Sequence, residues 1–230
     1  MLQKVDASTA GDEAFVPAVS VSEQKIKGIA VCGSHPVTVK AAPFANQDWL
    51  IYACSPDNSP YGHADHAQAL PRVDQWYEIH VPVFDKTLPY AYLDWLKGVP
   101  KVYMRDQTAM RMRMDNGTPL FPTAVAYPDE EMRGRKIVHQ NGKVEFTPGR
   151  FHRSQFKSSI AFIMAQAIVD CEEQNIPEIA LYGILQRGSK QEYQLQRPST
   201  QYFIEEAIRR GIKVRVAPES MLLHDDPEVF

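Results

Sequence analysis

The chain has 230 residues and a mass of 26.1 kDa, with 44% hydrophobic and 23% charged side chains, an ordinary globular composition that can bury a large core. Its formal charge of −3 and sequence pI near 6.2 argue against a general nucleic-acid coat or a binder of anionic membranes, while leaving room for a local basic groove. No apolar run approaches the roughly 20 residues of a membrane span, and the three cysteines, Cys32, Cys54 and Cys171, form no CxxC pair and read as reduced, mostly buried thiols.

Residues 1–25 mix small, polar and scattered apolar side chains without period, which predicts a flexible arm free to pack on a second copy in a homo-oligomer. This stretch is too polar for a secretory signal, so the expected compartment is the cytoplasm. Residues 26–32 are a continuous apolar strand left through a Gly33, Ser34, His35, Pro36 turn, the usual entry to a doubly wound sheet. The lone Gly33 permits close backbone approach to a ligand, but the turn is neither GxGxxG nor GxxxxGK[ST]. Residues 49–54 predict a second strand, ending in the turn-rich Ser55, Pro56, Asp57, Asn58. On the loop beyond, His63 and His66 with Asp65 lack a further strong ligand at helical spacing, so no metal centre is expected.

Residues 75–81 predict a third strand whose end carries Glu78 and His80; a histidine there can act as a general base or be satisfied by backbone. A short helix is expected over 90–96 and a fourth strand over 99–104. From 105 to 128 periodicity disappears. Arg105, Arg111 and Arg113 alternate there with Met104, Met110, Met112 and Met114, which predicts a long loop, either a solvated and merely mobile excursion or a functional lid whose basic and adaptable apolar groups meet phosphate, a nucleic acid or a host protein. Within an insertion over 128–151, residues 136–146 read as a hairpin turned by Asn141 and Gly142.

Ser158 and Ser159 precede an apolar run with helical spacing, and serines there can cap the first turn or join the helix dipole in holding phosphate. After Asn175 and Pro177, residues 178–182 predict a buried strand ending at Gly183. The polar cluster Glu192, Tyr193, Gln196, Arg197 stands before Pro198, and a helix is expected from 199 to 210, then a last strand over 212–216 and a polar tail from 223 to 230. Strands alternating with helices across 26–222 predict one α/β domain, a three-layer sandwich with a mostly parallel sheet and a small β-hairpin insertion.

The turn Gly33 to Pro36, the strand at 51–54, the helix opening Lys157, Ser158, Ser159, Ile160 and the strand end Leu181, Tyr182, Gly183 resemble those of a set of phage-encoded Rossmann-like proteins, and the Glu192 to Pro198 cluster belongs to that pattern. More distantly, the same order of words is similar to family 42 sialyltransferases and to motility-accessory and pterin pyrophosphokinase-like proteins. The resemblance implies a Rossmann-like fold, a nucleotide or nucleotide-sugar ligand and, for a phage protein, action in the host cytoplasm. It departs at Val37 and Ser159, where the sialyltransferase pattern has Ser and Gly, and at Ile184, where an acidic residue is usual.

Two expectations follow. In a glycosyltransferase-like enzyme, Gly33, Ser34, Ser158 and Ser159 hold phosphate, and Asp57 or Asn58 holds ribose or base. Tyr193 and Gln196 line the ligand, Arg197 neutralises the leaving nucleotide, and His80 activates the acceptor. In a binder without chemistry, the same residues sequester a nucleotide or the chain docks a host factor. A hydrolase using Glu192 or His80 on water is a weaker third reading.

Overall fold

The structure, a computed structural model, describes residues 25–54, 70–80, 90–186, 191–217, 220 and 222. Seven strands form one sheet: β1 (Gly28–Cys32), β2 (Trp49–Cys54), β3 (Gln75–Glu78), β4 (Val102–Met104), β5 (Ala124–Ala126), β8 (Glu178–Tyr182) and β9 (Lys213–Val216). Their order is β5-β4-β3-β2-β1-β8-β9 and every pairing is parallel. The chain walks outward from β1 to β5, then returns to lay β8 on the other side of β1. The progression therefore reverses between β1 and β8, and the crevice outside their carboxyl ends is where open α/β sheets bind ligands.

Alternation along each strand sends side chains to two cores. Ile29, Val31, Tyr52, Tyr77, Ile179 and Leu181 meet the helices α4 (Ser159–Gln174) and α5 (Gln191–Arg209). Ala30, Cys32, Ile51, Ala53, Trp76 and Met104 face the opposite layer, which contains a 3-10 turn (Thr38–Ala41) and the helices α1 (Tyr90–Lys97) and α2 (Gln107–Met110). Helices on both faces of a parallel sheet make this a Rossmann-like three-layer sandwich. A short helix α3 (Asp129–Arg133) and the antiparallel ribbon β6 (Lys136–Val138) and β7 (Val144–Phe146) form the predicted hairpin insertion. No helix among the described residues is long and apolar enough to cross a membrane.

The stretch 105–128 differs from its prediction as a long loop. Asp106 accepts the N–H groups of Thr108 and Ala109 and so caps α2, and Ala124–Ala126 extends the sheet as its edge strand. Three strand residues are too few to carry a period. Residues 111–119 are nonetheless exposed, Met112 and Met114 among them.

The helix expected from 199 begins instead at Gln191, with Pro198 inside it. Proline forfeits one backbone bond and disfavours helix at the preceding residue. Tertiary contacts outweigh that cost here: Phe203, Ile204 and Ala207 are buried against α4, and the Ser199 hydroxyl donates to the Gln155 carbonyl. The cluster Glu192 to Arg197 is therefore the opening of a helix and not a segment before one. The arm 1–24, the loop carrying Asp57, Asn58, His63 and His66, Val81 and the tail from 223 lie outside the described residues.

Candidate functional site

Four groups of side chains collect at the carboxyl edge of the sheet, each placed by the end of a strand or the start of a helix. The first is the crevice between β1 and β8. The Gly33 N–H donates to the Tyr182 carbonyl at 2.8 Å and the His35 N–H to the Gly183 carbonyl at 2.9 Å, which zips the two exit loops together. A Cβ on Gly33 would lie 2.5 Å from the Gly183 oxygen, and one on Gly183, where φ is +67°, would lie 2.6 Å from the Gly33 oxygen. The close approach that Gly33 permits is thus to the opposite loop. Ser34 is exposed at the lip, while His35 turns Nδ1 onto Thr38, accepting from its N–H at 3.4 Å and meeting its hydroxyl at 3.1 Å.

Gln186, four residues beyond β8, is the irregular member of this crevice. It is 7% exposed and has a left-handed φ of +43°, a conformation that non-glycine residues hold only under constraint. Arg197 supplies the constraint: its Nε and Nη2 donate to the Gln186 carbonyl at 2.9 and 2.6 Å. The side-chain Oε1 is enclosed and has no partner among the described residues. An enclosed amide oxygen without a partner among the described residues, on a strained backbone, costs stability.

At the tip of β3, Glu78 is 2% exposed and its carboxylate is held from two sides. The Tyr92 hydroxyl donates to Oε2 at 2.5 Å and itself accepts from Trp76 Nε1 at 2.9 Å; His80 Nδ1 lies 3.0 Å from Oε1. Burial, then the Glu78 charge, pushes the Tyr92 hydroxyl well above its ordinary 10.0, so tyrosine stays the donor. A carboxylate on Nδ1 makes Nδ1 the protonated nitrogen of neutral imidazole and Nε2 the basic one. Glu78 and His80 are two residues apart at a strand end, a spacing that points both the same way.

The third group surrounds the start of α4. Ser158 is the N-cap, its hydroxyl accepting from the Ala161 N–H at 3.2 Å, and Ser159 is the first helical residue. Arg105 and Arg133 lie over the Phe162 ring in the first turns, 4.9 and 5.2 Å from its centroid, and Arg133 also lies 5.6 Å from the centroid of Phe156. Asp129 Oδ2 accepts from Arg105 Nε at 3.0 Å and from Arg133 Nη2 at 2.8 Å. Arg153 donates to the carbonyls of Arg133 and Gly134 at 3.2 and 2.7 Å. The Arg133 guanidinium is lowered from its ordinary value first by burial; Asp129 opposes this, and Arg105 and Arg153 add to it. Arg133 Nε and Asp129 Oδ1 are enclosed without partners among the described residues.

The opening of α5 forms the fourth group. Tyr193 and Gln196 are partly buried on its first two turns beside Arg197, and the side chain of Glu192 lies outside the described residues. Among the described residues no cluster of three or more His, Cys, Asp or Glu side chains could hold a metal ion. Gln186, Asp129, Arg133 and Arg153 were not signalled by sequence spacing, because their part depends on backbone angle and on contacts made across the fold. Compared with known protein families, curated proteins and solved structures, the chain matches none.

Proposed function

We propose that the chain binds a nucleotide or nucleotide sugar by its phosphates along the carboxyl edge of the sheet and transfers the activated group to an acceptor hydroxyl. The observation that carries this reading is the gathering of Arg105 and Arg133 around the first turns of α4 with Asp129 as their shared carboxylate, and Arg153 beside them on the Arg133 and Gly134 carbonyls. The N-terminus of a 16-residue helix is the positive pole of its dipole, where cations are unfavourable and anions stabilising. Cations set against that pole are reconciled by a bound phosphate, which also takes the first-turn N–H groups.

His80 is the proposed base. Its Nε2 takes the acceptor hydroxyl proton as the acceptor oxygen bonds to the activated centre, and the nucleotide departs with the bonding electron pair toward the arginines. Glu78 steadies the imidazolium so formed, held in turn by Tyr92. Ser34 and Gly33 at the crevice, Ser158 and Ser159 at the helix start, and Tyr193, Gln196 and Arg197 on α5 contribute the remaining ligand surface; Glu192 opens that helix.

A binder without turnover is the second reading, favoured by Ile184 and Leu185, apolar where the resembled transferases carry an acidic residue. Calorimetry against nucleoside mono- and diphosphates, sugar nucleotides and pyrophosphate tests both. Binding that weakens at least about tenfold in Arg133→Met supports the phosphate site. Chemically unchanged ligand after long incubation selects the binder, and absence of binding to every nucleotide sinks both readings.

A further inference from the structure

The ribbon of β6 and β7 is too short to bury a core of its own, and its apolar face stays open. Lys136 stands opposite Phe146, and Val138 opposite Val144, in the antiparallel ladder. Directly opposed residues share a face, as do residues two apart on one strand, so Lys136, Val138, Val144 and Phe146 form one face and Ile137 and Glu145 the other. On the first face Val138 is 63% exposed, Val144 45% and Phe146 50%. Arg153 covers part of the Phe146 ring, its guanidinium 4.2 Å from the centroid. Two bonds from Nη1 to the Arg133 and Gly134 carbonyls hold it there, while Nε and Nη2 bond to nothing among the described residues.

Charge is uneven in this part of the chain. Residues 128–157 hold seven Lys and Arg against four Asp and Glu, in a chain whose formal net charge is −3. The four acids are already engaged: Asp129 holds Arg105 and Arg133, Glu130 lies 3.8 Å from Arg135, Glu131 meets Arg150, and Glu145 meets Lys143 and His139. Lys136, Arg153 and Lys157 are left with no acidic partner among the described residues. The first two stand beside and over the Phe146 ring, and Lys157 directly precedes the Ser158 cap of α4.

These features choose among occupants. A two-fold contact uses one patch twice, so a second copy laid on this face would bring its unpaired cations against the same cations. A membrane would be met first by the turn His139, Gln140, Asn141, Gly142, Lys143, which is polar, with the valines behind it. Cations beside a half-exposed aromatic ring match a polymer that alternates phosphate with a flat base.

We propose that this face of the ribbon binds single-stranded nucleic acid, one base stacked on the open side of Phe146 and the adjoining phosphates held by Lys136 and Arg153. A duplex keeps its bases stacked on one another and offers the ring no partner, so the single strand is the fit. The surface lies on the insertion and does not rest on the nucleotide reading.

Fluorescence anisotropy on the full chain with a labelled oligothymidylate of about 12 nucleotides is the test, with a duplex of that length and a polyglutamate of equal charge as comparison probes. Oligothymidylate should bind at about 100 μM or tighter, and the two other probes at least about tenfold more weakly. Phe146→Leu, which keeps an apolar side chain and removes the ring, should weaken the single strand at least about fivefold, and Phe146→Trp should match or exceed the parent. Lys136→Gln should lower the slope of log affinity against log salt by about 0.7, the share of one phosphate. Both positions are exposed on the ribbon, so these variants leave the core intact. Failure of oligothymidylate to bind, duplex or polyglutamate binding as tightly as the single strand, binding indifferent to Phe146→Leu, or a salt slope unchanged in Lys136→Gln overturns the proposal.

Discussion

Alkaline pH is expected to unfold this protein well before its backbone chemistry is threatened. Cys32 and Cys54 are buried, and each thiol is pushed up from 9.0 to about 12, first by burial, then by each thiol's neighbour, Cys54 for Cys32 and Glu78 for Cys54. Tyr52, Tyr77, Tyr92 and Tyr127 are likewise pushed well above 10.0, burial again the largest cause. In all six the native state keeps a proton that the unfolded chain releases, so their contribution is complete below about pH 9 and declines as pH rises. At about pH 10 each cysteine costs about 1.4 kcal/mol and each half-ionised tyrosine about 0.4 kcal/mol, together about 4–5 kcal/mol. That is comparable with the whole stability of many domains. Urea denaturation under reducing conditions, at neutral pH and at about pH 10, should show a midpoint falling by at least about a quarter. Cys32→Ala should reduce the slope of stability against pH by up to one proton. An unchanged midpoint, with tyrosine absorbance titrating at ordinary pH in the folded protein, would refute the reasoning.

Gly183→Ala should cost about 2–4 kcal/mol, since the new Cβ would lie 2.6 Å from the Gly33 oxygen and 2.9 Å from Val39 Cβ at a φ of +67°; a urea midpoint equal to the parent's would mean the two exit loops do not touch. Glu78→Gln replaces the charged acceptor shared by the Tyr92 hydroxyl and the His80 ring with a neutral amide, and should cost about 1–3 kcal/mol. Thermal unfolding reads that loss, and a neutral result would show that the carboxylate is not shared. Ser158→Ala should cost about 1 kcal/mol as a lost cap, while Ser159→Ala should stay within a few tenths; equal effects in the two variants would contradict the capping geometry.

Where signals are local, the sequence was readable. The apolar run of β1, the Ser158 cap of α4, the Asn141 and Gly142 turn of the ribbon and the short strand β8 each carry their evidence within a few residues. Edge strand β5 carries none, because Ala124–Ala126 becomes a strand only by pairing with β4. Pro198 is the opposite failure, a strong local rule overruled by burial of the residues that follow it. Of the site, the i, i+2 pair Glu78 and His80 was visible in spacing. The meeting of Arg133 with Phe162 joins an insertion to a helix 29 residues on and leaves no pattern in the chain. Gln186 was hidden for another reason: neither a positive φ nor an unpaired amide is a property of residue type.

The loop after β8 concentrates costs that a merely structural connection would avoid. Holding Gln186 at positive φ costs about 1–3 kcal/mol, its enclosed Oε1 has no partner among the described residues, and the proline one residue after Arg197 removes a backbone bond from the helix that clamps it. Arg197 offsets part of this with two bonds to one carbonyl, fixing the loop where it stands. The far end of α4 is built differently. There Arg150 and Arg210 meet Glu131, Glu172, Glu173 and Glu206 in one ion-pair lattice. The left-handed Gln186 stands instead beside the point where strand progression reverses, on loops set by Gly33 and Gly183. Open parallel sheets bind ligands outside the carboxyl ends of their strands at such a reversal, and the clamped, left-handed Gln186 stands at that edge.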